Sequence, residues 1–348
     1  MTLPNWPRGW GEAPATAQLK QSPQDFEVEE ILGFEPDGSG EHQLLWIEKA
    51  GLNTVDAAKR LATFAGIREA DISWAGLKDR QALTRQWFSL HLPGRDCDWS
   101  DWRDAELRVL RVERHSRKLR RGSHRGNRFS LTLRNLHGDS AALTQRLQQI
   151  AEAGVPNYFG AQRFGRDGRN LVLAQRWVAQ GMPRLKPAQR GLQLSVLRSY
   201  LFNELLAARV ADGSWQRPLD GELFILDGSG SFFAADIDAQ IEQRIADWDI
   251  HPSGALYGRA GKQRATAAAA ALEAAVLAPA AAVCEALERA GLDAERRALR
   301  LRPGELSWQF CDDSLRLAFT LPRGCFATSV VRELALLDDE QSIQEMVE

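Results

Sequence analysis

Three charges stand in a row at Lys78, Asp79 and Arg80. They separate an apolar run (Ile72, Trp74, Leu77) from an alternating one, in which Trp87 and Ser89 take one parity and Phe88 and Leu90 the other. Opposite charge a few ångströms away favours the ionised form of a carboxylate. An ionised carboxylate suits a nucleophile or a base, and not a general acid. A Lys-Asp-Arg triplet alone is most often a solvated turn. Here it joins two segments with strand patterning, and such a turn presents its side chains from a fixed edge. The local chemistry therefore permits a catalytic aspartate without naming a reaction.

A second candidate lies downstream. Residues 114–134 hold eight Lys/Arg and no acid: Arg114, Arg117, Lys118, Arg120, Arg121, Arg125, Arg128 and Arg134. The formal net charge is only -2, so this block gives a local positive field on a near-neutral chain. A solvated basic loop is the plain reading. Gly122, Ser123, Gly126 and Asn127 within it suggest backbone N–H groups able to approach an anion. Arg163 and Arg166, in AQRFGRDGR, are further cations that could serve a phosphate surface.

The elements that must position these groups follow from periodicity. Strands are expected at residues 25–31, 43–48, 106–112 and 128–134, where apolar residues alternate. A helix capped by Asn53 or Thr54 carries Val55, Ala58, Leu61, Ala62 and Ala65 and stops at Gly66. Another fits residues 140–153, with Leu143, Leu147 and Ile150 on one face and Gly154 as its stop. Beyond Gly154 helical patterns dominate. Leu197, Leu201, Leu205 and Ala208 form one stripe, and the alanine-rich stretch 265–290 reads as two helices parted at Pro279. Strand character returns at 301–308 and 315–321, followed by a glycine turn and a helix. A tail in the style of the first part suggests one domain inserted into another.

GLKDRQALTRQWFSL, residues 76–90, resembles the signature of the tRNA pseudouridine synthase D (TruD) family. DFEVEE, RGNRFSLTLR, GVPNYFGAQRFG, SVLRSYLFNELLAAR, HPSGALYG, LRPGEL and LPRGCFATSVVRE resemble the family's other blocks, in the family's order, across nearly the whole chain. The departures fall at Ala255 and Tyr257, where Pro and Trp are expected. The resemblance implies an α+β fold. A catalytic pseudouridine-synthase domain, with a mixed and mainly antiparallel sheet, would come from residues 1–153 and 304–348. An inserted α/β TRUD domain would span 154–303.

The resemblance further implies an isomerase that converts uridine 13 of tRNA to pseudouridine without cofactor or metal. Asp79 matches the catalytic aspartate, which either attacks the ribose C1′ or removes the C2′ proton. A uridine in folded RNA must be flipped into a pocket with stacking surfaces. Phe26, Asn127, Phe129 and Phe326 match the family's active-site positions. Phe26 and Phe326 would flank the base or sugar, and Asn127 would meet a polar edge. Phe129 alternates with Leu131 and Leu133, which equally suits core packing. Of Lys78 and Arg80, one is expected to hold the Asp79 carboxylate and the other to meet a phosphate. The run Arg114, Arg117, Lys118, Arg120, Arg121, Arg125 and Arg128 is the expected tRNA backbone surface.

Composition is that of an ordinary globular protein, with 44% hydrophobic and 26% charged residues. The four cysteines, Cys97, Cys284, Cys311 and Cys325, form no CxxC pair, and no HExxH or His/Cys cluster indicates a metal. The N-terminus lacks the apolar core of a signal peptide, and no run reads as long enough to span a bilayer. A cytoplasmic monomer with tRNA as partner, no membrane and no protein partner is the expectation. A non-catalytic RNA-binding protein, or tRNA folding chaperone, is the rival; pure binding has no use for an acid facing phosphates. A metal-dependent nuclease would need clustered acids, and none appears.

Overall fold

The computed structural model describes residues 3–337, apart from the Arg166 side chain. The first part supplies β1 (Ala15–Gln18), β2 (Phe26–Leu32), β3 (His42–Lys49), α1 (Thr54–Phe64), β4 (Ile72–Trp74), β5 (Leu83–His91), β6 (Leu107–His115), β7 (His124–Gly138) and α2 (Ser140–Ala153). The middle holds β8 (Val155–Pro156), α3 (Arg169–Ala179), α4 (Pro187–Ala211), β9 (Leu223–Leu226), β10 (Phe232–Ala234), α5 (Ala239–Ala246) and β11 (Ile250–Leu256). It continues with α6 (Ala267–Leu277), α7 (Ala281–Arg289), β12 (Glu295–Ala298) and β13 (Arg300–Leu301). The last part is β14 (Gly304–Cys311), β15 (Ser314–Pro322), α8 (Ala327–Leu334) and β16 (Ala335–Leu337).

Among the described residues ten strands form one sheet, ordered β14-β15-β7-β2-β5-β3-β6, with β1 beside β7, β16 beside β1 and β4 beside β5. Within it β2–β5 and β1–β16 pair in parallel and the other described pairs are antiparallel. The fold is α+β with a mixed, mainly antiparallel sheet, as the resemblance implies. Residues 304–337 thus return to the sheet that residues 15–138 begin. A second sheet, β10-β9-β11-β12, is built wholly from residues between them.

Register decides which side chains share a face, because successive residues of a strand point to opposite sides. Lys49 pairs with Thr84, Thr84 with Val28, Val28 with Phe129, and Phe129 with Phe319. One residue pair further along, Glu30 lies opposite Asn127 and Asn127 opposite Leu321. All of these therefore point to one side. Two helix groups cover that side. α1 buries Ala57, Ala58, Leu61 and Ala62 against Leu45, Ile47, Phe88 and Leu90. α2 and α8 bury Leu143, Leu147, Ile150, Val330, Val331 and Leu334 against Leu131, Leu133, Leu315 and Leu317. Each fully buried Leu or Ile contributes about 1.5–3 kcal/mol. Between the two helix groups the same face is polar: Lys49, Gln86, Glu30 and Asn127.

Local signals explain the helix ends. Asn53 accepts the Asp56 N–H and opens α1; Asp139 accepts the Ala141 N–H and opens α2. Gly154, at φ 72, closes α2, and a Cβ there would lie 2.5 Å from the Leu301 carbonyl oxygen. The strand expected at 128–134 is longer than its alternation suggested. β7 takes in Gly126 and Asn127, which pair with Ile31 and Glu30 on one side and Pro322 and Leu321 on the other. They are ladder residues and not an anion-binding loop. Gly126 is needed there because a Cβ would come 2.4 Å from the Leu321 carbonyl oxygen.

The alanine-rich stretch forms α6 and α7, joined by a 3-10 turn at Ala278–Ala280. Contrary to the expectation of no spanning run, its 23 residues, Ala267–Arg289, are long and apolar enough to cross a bilayer by length and composition alone. Alanine counts as apolar there while burying little area. Ala269, Leu277, Cys284, Ala286 and Leu287 turn into the protein.

Candidate active site

Asp79 lies in the eight residues between β4 and β5. The backbone of this loop is held from beneath at almost every step. The Gly76 carbonyl accepts from buried Gln86 Nε2 at 3.1 Å. The Lys78 N–H donates to Thr54 Oγ1 at 2.9 Å, and Thr54 Oγ1 in turn donates to Gln86 Oε1 at 2.9 Å. The Asp79 carbonyl accepts from Lys49 Nζ at 3.2 Å. Arg80 exchanges two 3.0 Å bonds with Gly51, Nε to carbonyl and carbonyl from N–H. What the loop releases outward is Leu77, 66% exposed, the Asp79 carboxylate, 44% exposed, and Arg80, which is also exposed.

Lys49 is fully buried, and its ammonium donates to the Leu52 and Asp79 carbonyls. Burial pulls its pKa from the ordinary 10.5 down to about 8; the Asp79 charge works against this and the Lys78 charge adds to it. Lys78 is not the cation that holds Asp79, nor one that could meet a phosphate. Its Nζ lies 2.8 Å from Glu30 Oε2, with the two side chains 5% and 0% exposed. The other Glu30 oxygen accepts the Trp87 N–H at 3.2 Å.

The ammonium that reaches Asp79 is that of Lys20, 3.3 Å from Oδ2. Lys20 follows β1 in a left-handed conformation, φ 63, a setting that costs energy for a residue with a Cβ. Its Nζ also stands 4.2 Å over the Phe26 ring. Lys20 therefore ties the carboxylate to an aromatic face. Phe129 lies edge-on to Phe26 at 6.2 Å and stacks on Phe319 at 5.5 Å. It is buried and supports Phe26 from the core, as its alternation with Leu131 and Leu133 suggested. Asn127 shares this face, and its Oδ1 is buried with no partner among the described residues.

Phe326 sits just before α8, five residues beyond the strand neighbour of Asn127. It meets the middle part of the chain, edge-on to Phe159 at 5.8 Å. The structure thus brings Asp79, Lys78, Phe26, Asn127 and Phe129 to one sheet face, with Phe326 at its border.

The basic run divides. Residues 116–123 form a loop fastened to the stem of the Asp79 loop: the Gly122 N–H donates to the Ala75 carbonyl at 2.8 Å, and the Arg121 guanidinium lies 4.4 Å over the Trp74 ring. Arg117, Arg120 and Arg125 are exposed, with no carboxylate on them among the described residues. Lys118 is exposed beside the Ala70 carbonyl. Arg114 does not belong to this surface. It lies in β6, donates to the Gly40 and Leu92 carbonyls at 3.3 Å, and pairs with Asp96. Arg128 is also excluded. Strand parity sends it to the face opposite Asn127 and Phe129, where it pairs with Glu305 at 3.2 Å. Arg163 pairs with no carboxylate among the described residues, and the Arg166 side chain lies outside them.

Lys20, Glu30, Lys49, Thr54 and Gln86 complete the site and were absent from the residues singled out in the sequence. Parity could have found three of them. Glu30 continues the inward parity of Phe26 and Val28, Lys49 that of Leu45 and Ile47, and Gln86 that of Phe88 and Leu90. A charged or amide residue on an apolar face is a signal.

Comparison with known proteins decides the family. The sequence profile described as tRNA pseudouridine synthase D (TruD) matches residues 10–181 and 169–334. The chain belongs to this family. It is 51% identical over 330 residues to a tRNA pseudouridine synthase D from Pseudomonas syringae pv. tomato, covering 94% of each chain. With one from Pseudomonas putida W619 it shares 52% identity over 333 residues, again covering 94% of each. In three dimensions it is similar to a Methanosarcina mazei structure described under the TruD name, with TM-score 0.69 and 21% identity, covering 94% of this chain and 95% of that one. At that identity the last likeness speaks to the fold. The TruD profile begins before β1 and ends with α8, so it takes in the whole polar face and the Asp79 loop.

Proposed function

We propose that this TruD-family chain isomerises uridine 13 of tRNA to pseudouridine, with Asp79 as the catalytic carboxylate and no cofactor. The observation that carries the reading is the Asp79 loop: its backbone is pinned by buried polar groups, and the released carboxylate is steered by Lys20 against Phe26. Such a carboxylate is positioned before substrate arrives.

In the reaction the N1–C1′ bond breaks and a C5–C1′ bond forms. The C5 proton leaves and N1 gains one, so atoms and electrons balance without a redox partner. Asp79 either adds to C1′, giving a covalent ribosyl ester, or takes the C2′ proton, giving a glycal. Both routes need an ionised carboxylate, and the Lys20 ammonium at 3.3 Å fixes where that carboxylate points. The detached uracil must turn before it rejoins. Phe26 and Phe326 provide surfaces to retain it. The unpartnered Asn127 Oδ1 is an acceptor suited to an N–H of the uracil edge. Residues 1–153 and 304–348 form the catalytic domain in this reading, and the inserted residues 154–303 help select the RNA.

The test is an unmodified tRNA transcript with uridine at position 13, incubated with wild type and with Asp79→Asn in EDTA. Pseudouridine is mapped by chemical adduct and primer extension. Product from wild type and none from the variant, with RNA binding retained by both, is expected. Binding by both without product across a full tRNA pool would leave an RNA-binding protein on the same scaffold.

A further inference from the structure

Two arginines around Phe159, the ring that meets Phe326, carry charge that no carboxylate among the described residues answers. Arg297, on β12, lays its guanidinium 4.2 Å over the Phe159 ring. It donates to the Asn157 carbonyl at 3.2 Å, to Asn157 Oδ1 at 2.6 Å and to the Gly324 carbonyl at 2.9 Å. Three of its five N–H groups are used, each on a neutral acceptor. Arg163 stands 5.5 Å from the same Phe159 ring and 6.0 Å from the Phe326 ring. Its Nη1 donates to Ser195 Oγ at 3.2 Å, and its Nε is buried with no partner among the described residues. No Asp or Glu among the described residues pairs with either arginine.

The arrangement is costly as it stands. Burial lowers the pKa of both guanidinium groups, and the charge of Arg163 lowers that of Arg297 further while Cys325 opposes this. Arginine does not shed its proton in proteins, so the charge cannot be relieved by titration. Neutral carbonyls and aromatic faces offset only part of the desolvation of two like charges. A third group unsatisfied among the described residues sits at the Phe326 end. Thr328 Oγ1 is buried without a partner and lies 2.6 Å from where a Gly160 Cβ would be; that Cβ would also lie 3.5 Å from the Phe326 ring. Two forked cations on the Phe159 ring, and a buried hydroxyl beside the Phe326 ring that Phe159 meets, make a receptor for a tetrahedral anion.

We propose that Arg163 and Arg297 together hold one phosphodiester group of the RNA strand, the one next to the nucleotide that Phe326 flanks. This rests on the RNA reading above. It gives the inserted region a direct part in placing the nucleotide, since Arg163 and Arg297 both come from it while Phe326 does not. Arg297 also ties the Gly324 turn to Asn157, so loss of function on its removal alone would not separate a ligand role from a brace.

The experiment is therefore a cycle between protein and RNA. Uncharged methylphosphonate linkages are placed one at a time around the target uridine. Binding to wild type and to Arg163→Gln is measured by fluorescence anisotropy, with thermal melts of both proteins. In wild type one linkage should lose about tenfold or more in affinity, the scale of a charge-assisted contact. In Arg163→Gln the loss at the same linkage should be smaller than in wild type by about threefold or more, because one of the phosphate's two partners is already gone. Losses that simply multiply at every linkage would overturn the proposal and leave the arginines as braces. Should Arg163→Gln fail to fold, Arg163→Lys carries the same cycle, with a smaller coupling at the same linkage expected and none overturning it. Pseudouridine formation by wild type on the unsubstituted RNA is scored separately. Its absence with a coupled linkage would sink the enzyme reading and spare the phosphate site.

Discussion

Lys49 and Lys78 are buried for different reasons, and they fail differently. Lys78 has a carboxylate partner. Removing one member of a buried pair leaves an unanswered charge, which costs about 3–5 kcal/mol. Lys78→Met should therefore destabilise the protein by that amount in urea melts, and adding Glu30→Gln should restore more than half, since Gln can still accept the Trp87 N–H. Lys49 has only carbonyls. Its folded pKa of about 8 lies below the ordinary 10.5, so the folded state binds the proton more weakly than the unfolded chain. Below pH 8 both states are charged and the full cost of burial is paid. Between about 8 and 10.5 the folded state has lost its proton and the unfolded chain has not, so the group's contribution to stability rises with pH. The difference in unfolding free energy between wild type and Lys49→Met should be flat at neutral pH and move toward wild type across that window. The Lys49 side-chain resonance should titrate near 8 by NMR. Asp79→Asn should move that midpoint down, because the Asp79 charge raises it.

The loop that carries Asp79 is an element defined by its anchors and not by a repeating pattern. Thr54 is the central one: it is the first residue of α1, donates to Gln86 and accepts the Lys78 N–H. Thr54→Val keeps the shape and removes both bonds. It should cost about 1–3 kcal/mol for the buried groups left unpaired, and lower kcat more than it raises KM for tRNA, because a shifted carboxylate affects the reacting atoms first. Steady-state kinetics with a urea melt check both parts. The same contrast explains what was legible beforehand. α2 was readable to the residue because Leu143, Leu147 and Ile150 repeat with the helical period between Asp139 and Gly154. The triplet at 78–80 was readable as a candidate site because strands flank it. Lys20 was not, since it sits at a positive φ outside any periodic run. Nor were the partners of Lys78 and Arg114, because only the register of β2, β5 and β6 brings Glu30 and Asp96 within reach.

On the scale of the whole molecule, charge is arranged by fold and not by sequence neighbourhood. Seven cations of one run looked equivalent. The structure spends Arg114 on Asp96 and turns Arg128 to the far face, leaving Arg117 and Arg120 exposed on a loop fastened to the Asp79 loop through Gly122 and Arg121, with Arg125 exposed at the start of β7. A phosphate contact releases counterions and shows as salt dependence, whereas a structural cation does not. The triple variant Arg117→Gln/Arg120→Gln/Arg125→Gln should bind tRNA more weakly at low salt. Its slope of log affinity against log salt should fall by roughly 2 to 3, with an unchanged melting temperature. Arg128→Gln should leave the slope alone, since the Glu305 pair is exposed and worth little. Arg114→Gln should lower the melting temperature and also leave the slope alone, since its bonds go to Asp96 and to backbone carbonyls. Filter binding from low to physiological salt separates the three classes. An unchanged slope in the triple variant would move the RNA to another face and remove the basic loop from the site.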